Sequence, residues 1–207
     1  MKTTVILGIL ALSTTISGYA QLSANIGVTS NYVWRGLTQN EEDPAVQGGV
    51  DYGWANGIYI GTWASNVPKP YDVEIDGYLG WAGETESGFG WDIGYVYYAY
   101  TGDKDIEFGE AYVGGGFKML AAKLYRDFEN ETTYYELGLN FELPADFALS
   151  LRGGNYDLGG EDGSEVDWEV KLSRPFGNLE VSALIADSGF ADDVQYALTA
   201  IYTFGGE

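Results

Sequence analysis

The sequence has no cysteine and no histidine, few prolines (5 in 207 residues), and only 10 Lys+Arg against 31 Asp+Glu. Without cysteine there is no disulfide framework, no thiolate metal site, no cysteine nucleophile and no lipid-carrying cysteine behind a signal sequence. Without histidine the chain lacks the commonest general base, the commonest zinc ligand and every Ser-His catalytic pair. A formal net charge of −21 argues against a nucleic-acid partner, because binding to a phosphate backbone depends on Lys and Arg displacing counterions. Long apolar runs are scarce as well. Beyond the first twenty residues none approaches the ~18 residues of a spanning helix, and the mean hydropathy is −0.13. A helical membrane protein is thereby excluded. A membrane barrel is not, since its apolar residues are diluted by alternation with polar ones.

What is present begins with an address. Met1-Lys2-Thr3-Thr4 is a short basic start, an apolar stretch runs from Val5 to about Ile16, and Ser17-Gly18-Tyr19-Ala20 ends on small residues. This pattern predicts a secretory signal, residues 1–20, cleaved after Ala20; a buried N-terminal helix is the alternative. Residues 21–207 then form the mature domain, one unit more acidic for the loss of Lys2.

From Gln21 onward helical periodicity is nearly absent and period-two alternation recurs. Tyr135, Leu137, Leu139, Phe141 and Leu143 alternate with Tyr134, Glu136, Gly138, Asn140 and Glu142. Val73, Ile75, Leu79 and Trp81 share one parity, while Asp72, Glu74, Asp76 and Tyr78 hold the other. Val166, Trp168, Val170 and Leu172 oppose Asp167, Glu169, Lys171 and Ser173. Successive strand side chains point to opposite faces, so each segment has one apolar and one polar face. Turn residues divide the chain into twelve such segments, 22–36, 45–54, 58–66, 72–82, 89–101, 106–115, 118–126, 133–143, 147–157, 166–174, 179–186 and 194–204. The spacing leaves room for strands of the ~9–11 residues that a tilted crossing requires. The fold class predicted is all-β: a transmembrane antiparallel up-and-down barrel of about twelve strands.

The connections alternate in character. Ala55-Asn56-Gly57, Pro144-Ala145-Asp146 and Pro175-Phe176-Gly177-Asn178 are tight, the first with an Asn-Gly hairpin signal. Between them lie longer polar links at 37–44, 66–71, 127–132, 158–165 and 187–193. Short periplasmic turns opposite longer outer loops are expected of an outer-membrane barrel, and an even strand count puts both termini on the periplasmic side. Gly83 to Gly88 reads long for such a turn, and Gly102 to Asp105 short for an outer loop. Tyr52, Trp54, Trp81, Phe89, Trp91, Phe147, Tyr202 and Phe204 sit beside turns or at the final strand's end, where aromatic rings meet a headgroup layer. A soluble β-sandwich burying the same rings is the competing architecture, but its strands average only ~5–6 residues.

Several blocks carry a resemblance. Ser30-Asn31-Tyr32-Val33-Trp34-Arg35-Gly36-Leu37, Glu42-Asp43-Pro44-Ala45-Val46-Gln47-Gly48-Gly49 and Gly61-Thr62-Trp63-Ala64-Ser65-Asn66-Val67 resemble the TorF family of outer-membrane porins. The likeness continues at 92–100, 108–114 and 166–173, in family order across the mature chain. It implies a porin-like role in the outer membrane, with lipid, lipopolysaccharide, the barrel-insertion machinery and small solutes as partners. Tyr202-Thr203-Phe204 supplies the terminal aromatics that such machinery reads, although Gly205-Gly206-Glu207 follows.

If the apolar parity faces lipid, charges must face inward, because a Lys or Arg at the lipid midplane costs ~2–4 kcal/mol. That rule assigns Asp51, Glu74, Asp76, Asp92, Glu110, Glu136, Asp167 and Glu169 to the pore lining, together with Lys123, Arg152 and Lys171. Arg35 is placed near the outer end of the first strand. The expected interior is acidic, either a hydrated channel preferring cations or a narrow core of ion-paired side chains. The expected function is passive diffusion of small solutes; the alternative is a non-conducting barrel acting as a structural or surface-binding protein. No enzyme chemistry, cofactor or metal site is expected. Asp72-Val73-Glu74-Ile75-Asp76-Gly77 imitates the start of a calcium loop, but its twelfth position is Gly83 rather than a bidentate Glu. The acidic loops Glu41-Glu42-Asp43 and Glu161-Asp162 could bridge lipopolysaccharide through divalent ions, although simple solvation accounts for them.

Overall fold

A computed structural model describes residues 21–159 and 163–205. The signal segment 1–20 and its cleavage point, the Glu161-Asp162 pair and the terminal Gly206-Glu207 lie outside the described residues. The strands are β1 (Gln21–Thr29), β2 (Val33–Trp34), β3 (Leu37–Thr38), β4 (Ala45–Gly53), β5 (Ile58–Asn66), β6 (Val73–Glu84), β7 (Phe89–Tyr100) and β8 (Phe108–Phe117). They continue as β9 (Leu120–Arg126), β10 (Thr133–Glu142), β11 (Ala148–Asp157), β12 (Ser164–Phe176), β13 (Leu179–Ser188) and β14 (Gln195–Gly205). All except β2 and β3 join in one closed barrel, each strand antiparallel to its chain neighbours. Closure comes from β1, which pairs with β4 on one side and β14 on the other, Ala24 lying opposite both Val50 and Phe204. A closed ring leaves no unpaired strand edge, a condition any hydrocarbon-embedded sheet must meet.

Parity decides which side chains face out. Leu22, Ile26 and Val28 of β1, Ile75, Leu79 and Trp81 of β6, Tyr135 and Leu137 of β10, and Tyr196 and Leu198 of β14 are all exposed on the outer surface. Leu198 keeps 66% of its surface accessible and Val166 62%. Side chains this apolar are exposed in water only at a cost of ~25 cal/mol per Å², whereas lipid removes that cost. The opposite parity turns inward, where Glu74, Asp76, Tyr98, Glu110, Tyr112, Tyr125, Tyr134 and Asp167 are buried.

Aromatic belts bound the apolar band. At the turn end, Tyr52 packs on Trp54 (centroids 4.7 Å apart), Trp81 on Trp91 (4.5 Å) and Tyr202 on Phe204 (4.8 Å). Arg174, also at that end, lies over Phe147 and Phe176. At the loop end Tyr97, Tyr135, Trp168 and Tyr196 stand exposed.

Two expectations change. The sequence pattern runs the first strand through 22–36, but β1 stops at Thr29 and residues 33–38 form the separate hairpin β2–β3. Arg35 therefore does not end the first strand. It sits at the hairpin tip with φ 48° and is followed by Gly36 at φ 77°, a left-handed pair that reverses the chain. The second change removes a misfit. β6 continues through Gly83 and Glu84 and pairs Glu84 with Gly90, so the turn between β6 and β7 is only 85–88. At the other end the loop between β7 and β8 spans 101–107. The short-turn, long-loop pattern thus holds all the way around.

Candidate functional site

Residues 30–44, the loop between β1 and β4, fold into the barrel rather than over it. β1 and β8 lie on opposite sides of the ring, and this loop spans the distance. On the near side Asn31 Nδ2 donates to Gln195 Oε1 (3.0 Å), and Thr38 Oγ1 donates to Asn31 Oδ1 (2.7 Å). Gly36 lies against β13 so closely that a Cβ there would stand 2.3 Å from the carbonyl oxygen of Asp187. Glycine at this position is thus required twice, by its positive φ and by the contact.

On the far side the loop reaches the tyrosine wall formed by β6–β11. Tyr32 donates its hydroxyl to Glu74 Oε1 (2.8 Å), and Trp34 packs edge-on against Tyr98. Arg35 donates from both terminal nitrogens to Glu110, at 2.9 and 2.8 Å. The guanidinium carbon also stands 3.9 Å from the Tyr134 ring centroid, 4.2 Å from Trp34, 4.9 Å from Tyr125 and 5.4 Å from Tyr156. A planar cation fits such a slot because it can hydrogen-bond in its plane while its faces meet aromatic rings. Burial works against the Arg35 charge, but the Glu110 carboxylate more than offsets it and holds the guanidinium above the usual arginine range. Burial, then the neighbouring Glu74, raise the Tyr32 hydroxyl well above the ordinary tyrosine value, so it remains a proton donor.

The remaining charged residues form separate groups on the inner wall. Lys123 Nζ donates to Asp92 Oδ2 (3.0 Å) and lies over the Tyr112 ring, while Tyr59 donates to Asp92 Oδ1 (2.7 Å) and is hydrogen-bonded to Tyr112. Arg152 donates to Asp167 and Tyr134, and its other terminal nitrogen reaches Glu169 at 3.4 Å. Lys171 pairs with Glu180 at 3.6 Å. Every inward-facing base named above therefore has a carboxylate partner.

Of the eight acids expected to line the pore, four have no ion-pair partner among the described residues: Asp51, Glu74, Asp76 and Glu136. Asp51 accepts from the Tyr78 hydroxyl (2.5 Å), and Glu74 accepts from Tyr32 and Tyr100. Asp76 is 1% exposed, and its Oδ1 has no hydrogen-bond partner at all. Tyrosine hydroxyls thus do for several carboxylates what lysines do elsewhere, but without neutralising them.

Arg35, Glu110, Asp167, Arg152, Glu136 and Glu169 gather around the loop and the β8–β12 wall, Asp92 and Lys123 pair beside it on β7 and β9, and Glu74 and Asp76 occupy β6. Asp51 and the Lys171–Glu180 pair stand apart from that cluster. The tyrosines were not among the sequence-derived site residues, nor was Glu180. The signal available for the tyrosines was their parity, since Tyr98, Tyr112, Tyr125 and Tyr134 all share the charged face of their strands.

The chain belongs to the family described as "Bacterial protein of unknown function (Gcw_chp)", which matches residues 13–205. No curated protein matches it. Among solved structures it is similar to the KdgM porin, with a TM-score of 0.66 and 10% identity over 89% of this chain and 99% of that one. A second KdgM structure, described as a complex with disordered oligogalacturonate, gives a TM-score of 0.65 at 10% identity over the same shares. The fold is that of an outer-membrane porin.

Proposed function

We propose that this protein is an outer-membrane channel for passive diffusion of small solutes, favouring cations and neutral molecules over anions. One observation carries the selectivity: the inward bases are each paired with a carboxylate, whereas Asp51 and Glu74 are held by tyrosine hydroxyls alone, which donate to a carboxylate without neutralising it. Fixed negative charges on a lumen wall repel anions and concentrate cations, and the low-dielectric barrel around them strengthens the field. On this reading Arg35, Asp51, Glu74, Asp76, Asp92, Glu110, Lys123, Glu136, Arg152, Asp167, Glu169 and Lys171 line the route. The signal-like segment 1–20 provides export, the insertion machinery places the barrel, and lipid with lipopolysaccharide surrounds it.

The TorF-like blocks and the porin fold agree with a channel role. They do not name a solute. Oligogalacturonate, the molecule in one KdgM structure, is a polyanion and suits this acidic interior poorly. The test is the reversal potential of the purified protein in a planar bilayer under a salt gradient. The sign for cation preference is expected; anion preference overturns the reading.

A second reading rests on residues 30–44. They cross the bore and are fixed to the wall on both sides of it, as in a barrel that does not conduct and serves through its outer surface. Absence of single-channel events from reconstituted, folded protein would select it.

A further inference from the structure

The inward loop does not fill the barrel evenly. Between its hairpin and the β11–β12–β13 wall remains a cavity of about 220 Å³, bounded by Trp34, Tyr156, Glu165, Asp167, Ser188 and Phe190, with Arg35 at its inner edge. At ~30 Å³ per water this is room for roughly seven waters, or for one small solute. Phe190 lies in the outer loop after β13, is 47% exposed, and stands edge-on to Tyr156 with ring planes at 82°. The opening therefore faces the loop end of the barrel.

The lining is mostly ring and carboxylate. Trp34, Tyr156 and Phe190 present three aromatic side chains. Glu165 has no ion-pair partner among the described residues, and its Oε2 lies in the position that a Cβ on Gly189 would need, at the cavity's rim. Asp167 is shared with Arg152. The cation at the inner edge, Arg35, is bound through both terminal nitrogens to Glu110, so its charge is matched. An uncompensated carboxylate beside aromatic rings attracts a positive group by two additive routes, the ion pair and the ring quadrupole.

We propose that this cavity is a binding site for a small organic cation, an alkylammonium or arylalkylammonium whose charged head meets Glu165 and whose apolar part packs among Trp34, Tyr156 and Phe190. The proposal deepens the channel reading by naming a solute class and rests on it for the way solute arrives. Binding itself needs no ion flow and is measured on folded protein in detergent micelles.

Tryptophan fluorescence titrated with phenethylammonium, tetramethylammonium, glucose and galacturonate tests it. A saturable change with the two ammonium probes is expected, with affinity about tenfold weaker in Glu165→Gln and in Phe190→Ala. Heat-modifiable gel migration shows that each variant is folded. No saturable response to either ammonium probe overturns the proposal, whether or not the sugars bind. So does ammonium binding that Glu165→Gln leaves unchanged. A folded protein that binds ammonium but passes no current refutes the channel and keeps the site; one that conducts without binding does the reverse.

Discussion

Arg35 and Glu110 lie 75 positions apart in the chain and meet inside the barrel through two parallel hydrogen bonds of 2.9 and 2.8 Å. The pair fastens a loop that begins at one wall to the strand facing it. Both partners are buried, with side-chain exposures of 7% and 1%, so neither charge can be satisfied by bulk water if the other is lost.

Arg35→Ala removes the fastening and leaves Glu110 buried without a counter-charge, a change that costs about 3–5 kcal/mol for pairs of this kind. The expected outcome is an undocked loop, seen as higher single-channel conductance and a lower thermal midpoint. The double variant Arg35→Ala/Glu110→Ala should recover much of the midpoint, because the orphaned charge is gone, while keeping the raised conductance. A midpoint that falls further in the double variant would contradict this account.

Gly36→Ala attacks the same hairpin through its contact with β13. A Cβ at φ 77° and 2.3 Å from the Asp187 carbonyl oxygen cannot be accommodated without moving the hairpin off β13. The expected result is protease cleavage within 30–44 of the folded barrel, at a rate the parent protein does not show. Equal resistance in parent and variant would mean that the contact is not limiting.

Selectivity should follow the unpaired acids. Asp51→Asn and Glu74→Gln each remove a carboxylate that tyrosine hydroxyls hold and no base pairs, so the reversal potential under a salt gradient should move toward zero in each and further in the pair. Lys171→Gln removes a base already matched by Glu180 and should move it in the opposite direction, toward stronger cation preference. Three variants with the parent's potential would show that the field at the narrowest point is set elsewhere.

The two faces of β10 make an internal comparison. Leu137 points outward and is 55% exposed, whereas Glu136 beside it is turned in and 7% exposed. Leu137→Arg should lower the unfolding free energy in lipid vesicles by about 2–4 kcal/mol, and Glu136→Gln should not produce such a loss. Urea titration of tryptophan emission reads both. Similar losses in the two variants would argue against lipid on the outer face.

The barrel was legible because its parity is strict. Leu79 and Trp81 against Asp76 and Tyr78, or Leu137 against Glu136, declare their faces without reference to any distant residue. Strand number followed from the same signal, and the apparent irregularity at Gly83 to Gly88 vanished once β6 was seen to pair through Glu84 with Gly90. The loop was not legible. Tyr32, Trp34 and Leu37 mix with polar neighbours in a way that extends the strand pattern, but the chain bends at Ser30-Asn31, where Thr29 Oγ1 donates to the Asn31 carbonyl, and then reverses at Arg35-Gly36. Sequence parity also could not tell which acid would meet which base. Arg35 finds Glu110 across the bore, while Glu74 and Asp51 meet tyrosines, and such pairings depend on where strands far apart in the chain come to rest around the ring.

The seam between β1 and β14 has a bearing on assembly. Ser23 through Thr29 hydrogen-bond along Thr199 through Gly205, so the first strand made finds its second neighbour only when the last one exists. Until then two ribbons of backbone amides and carbonyls would stand naked in hydrocarbon, each group costing several kcal/mol. A partly threaded cylinder is consequently no resting state. Any route into a bilayer has to keep both free borders paired or wetted until they zip shut in a single concluding step.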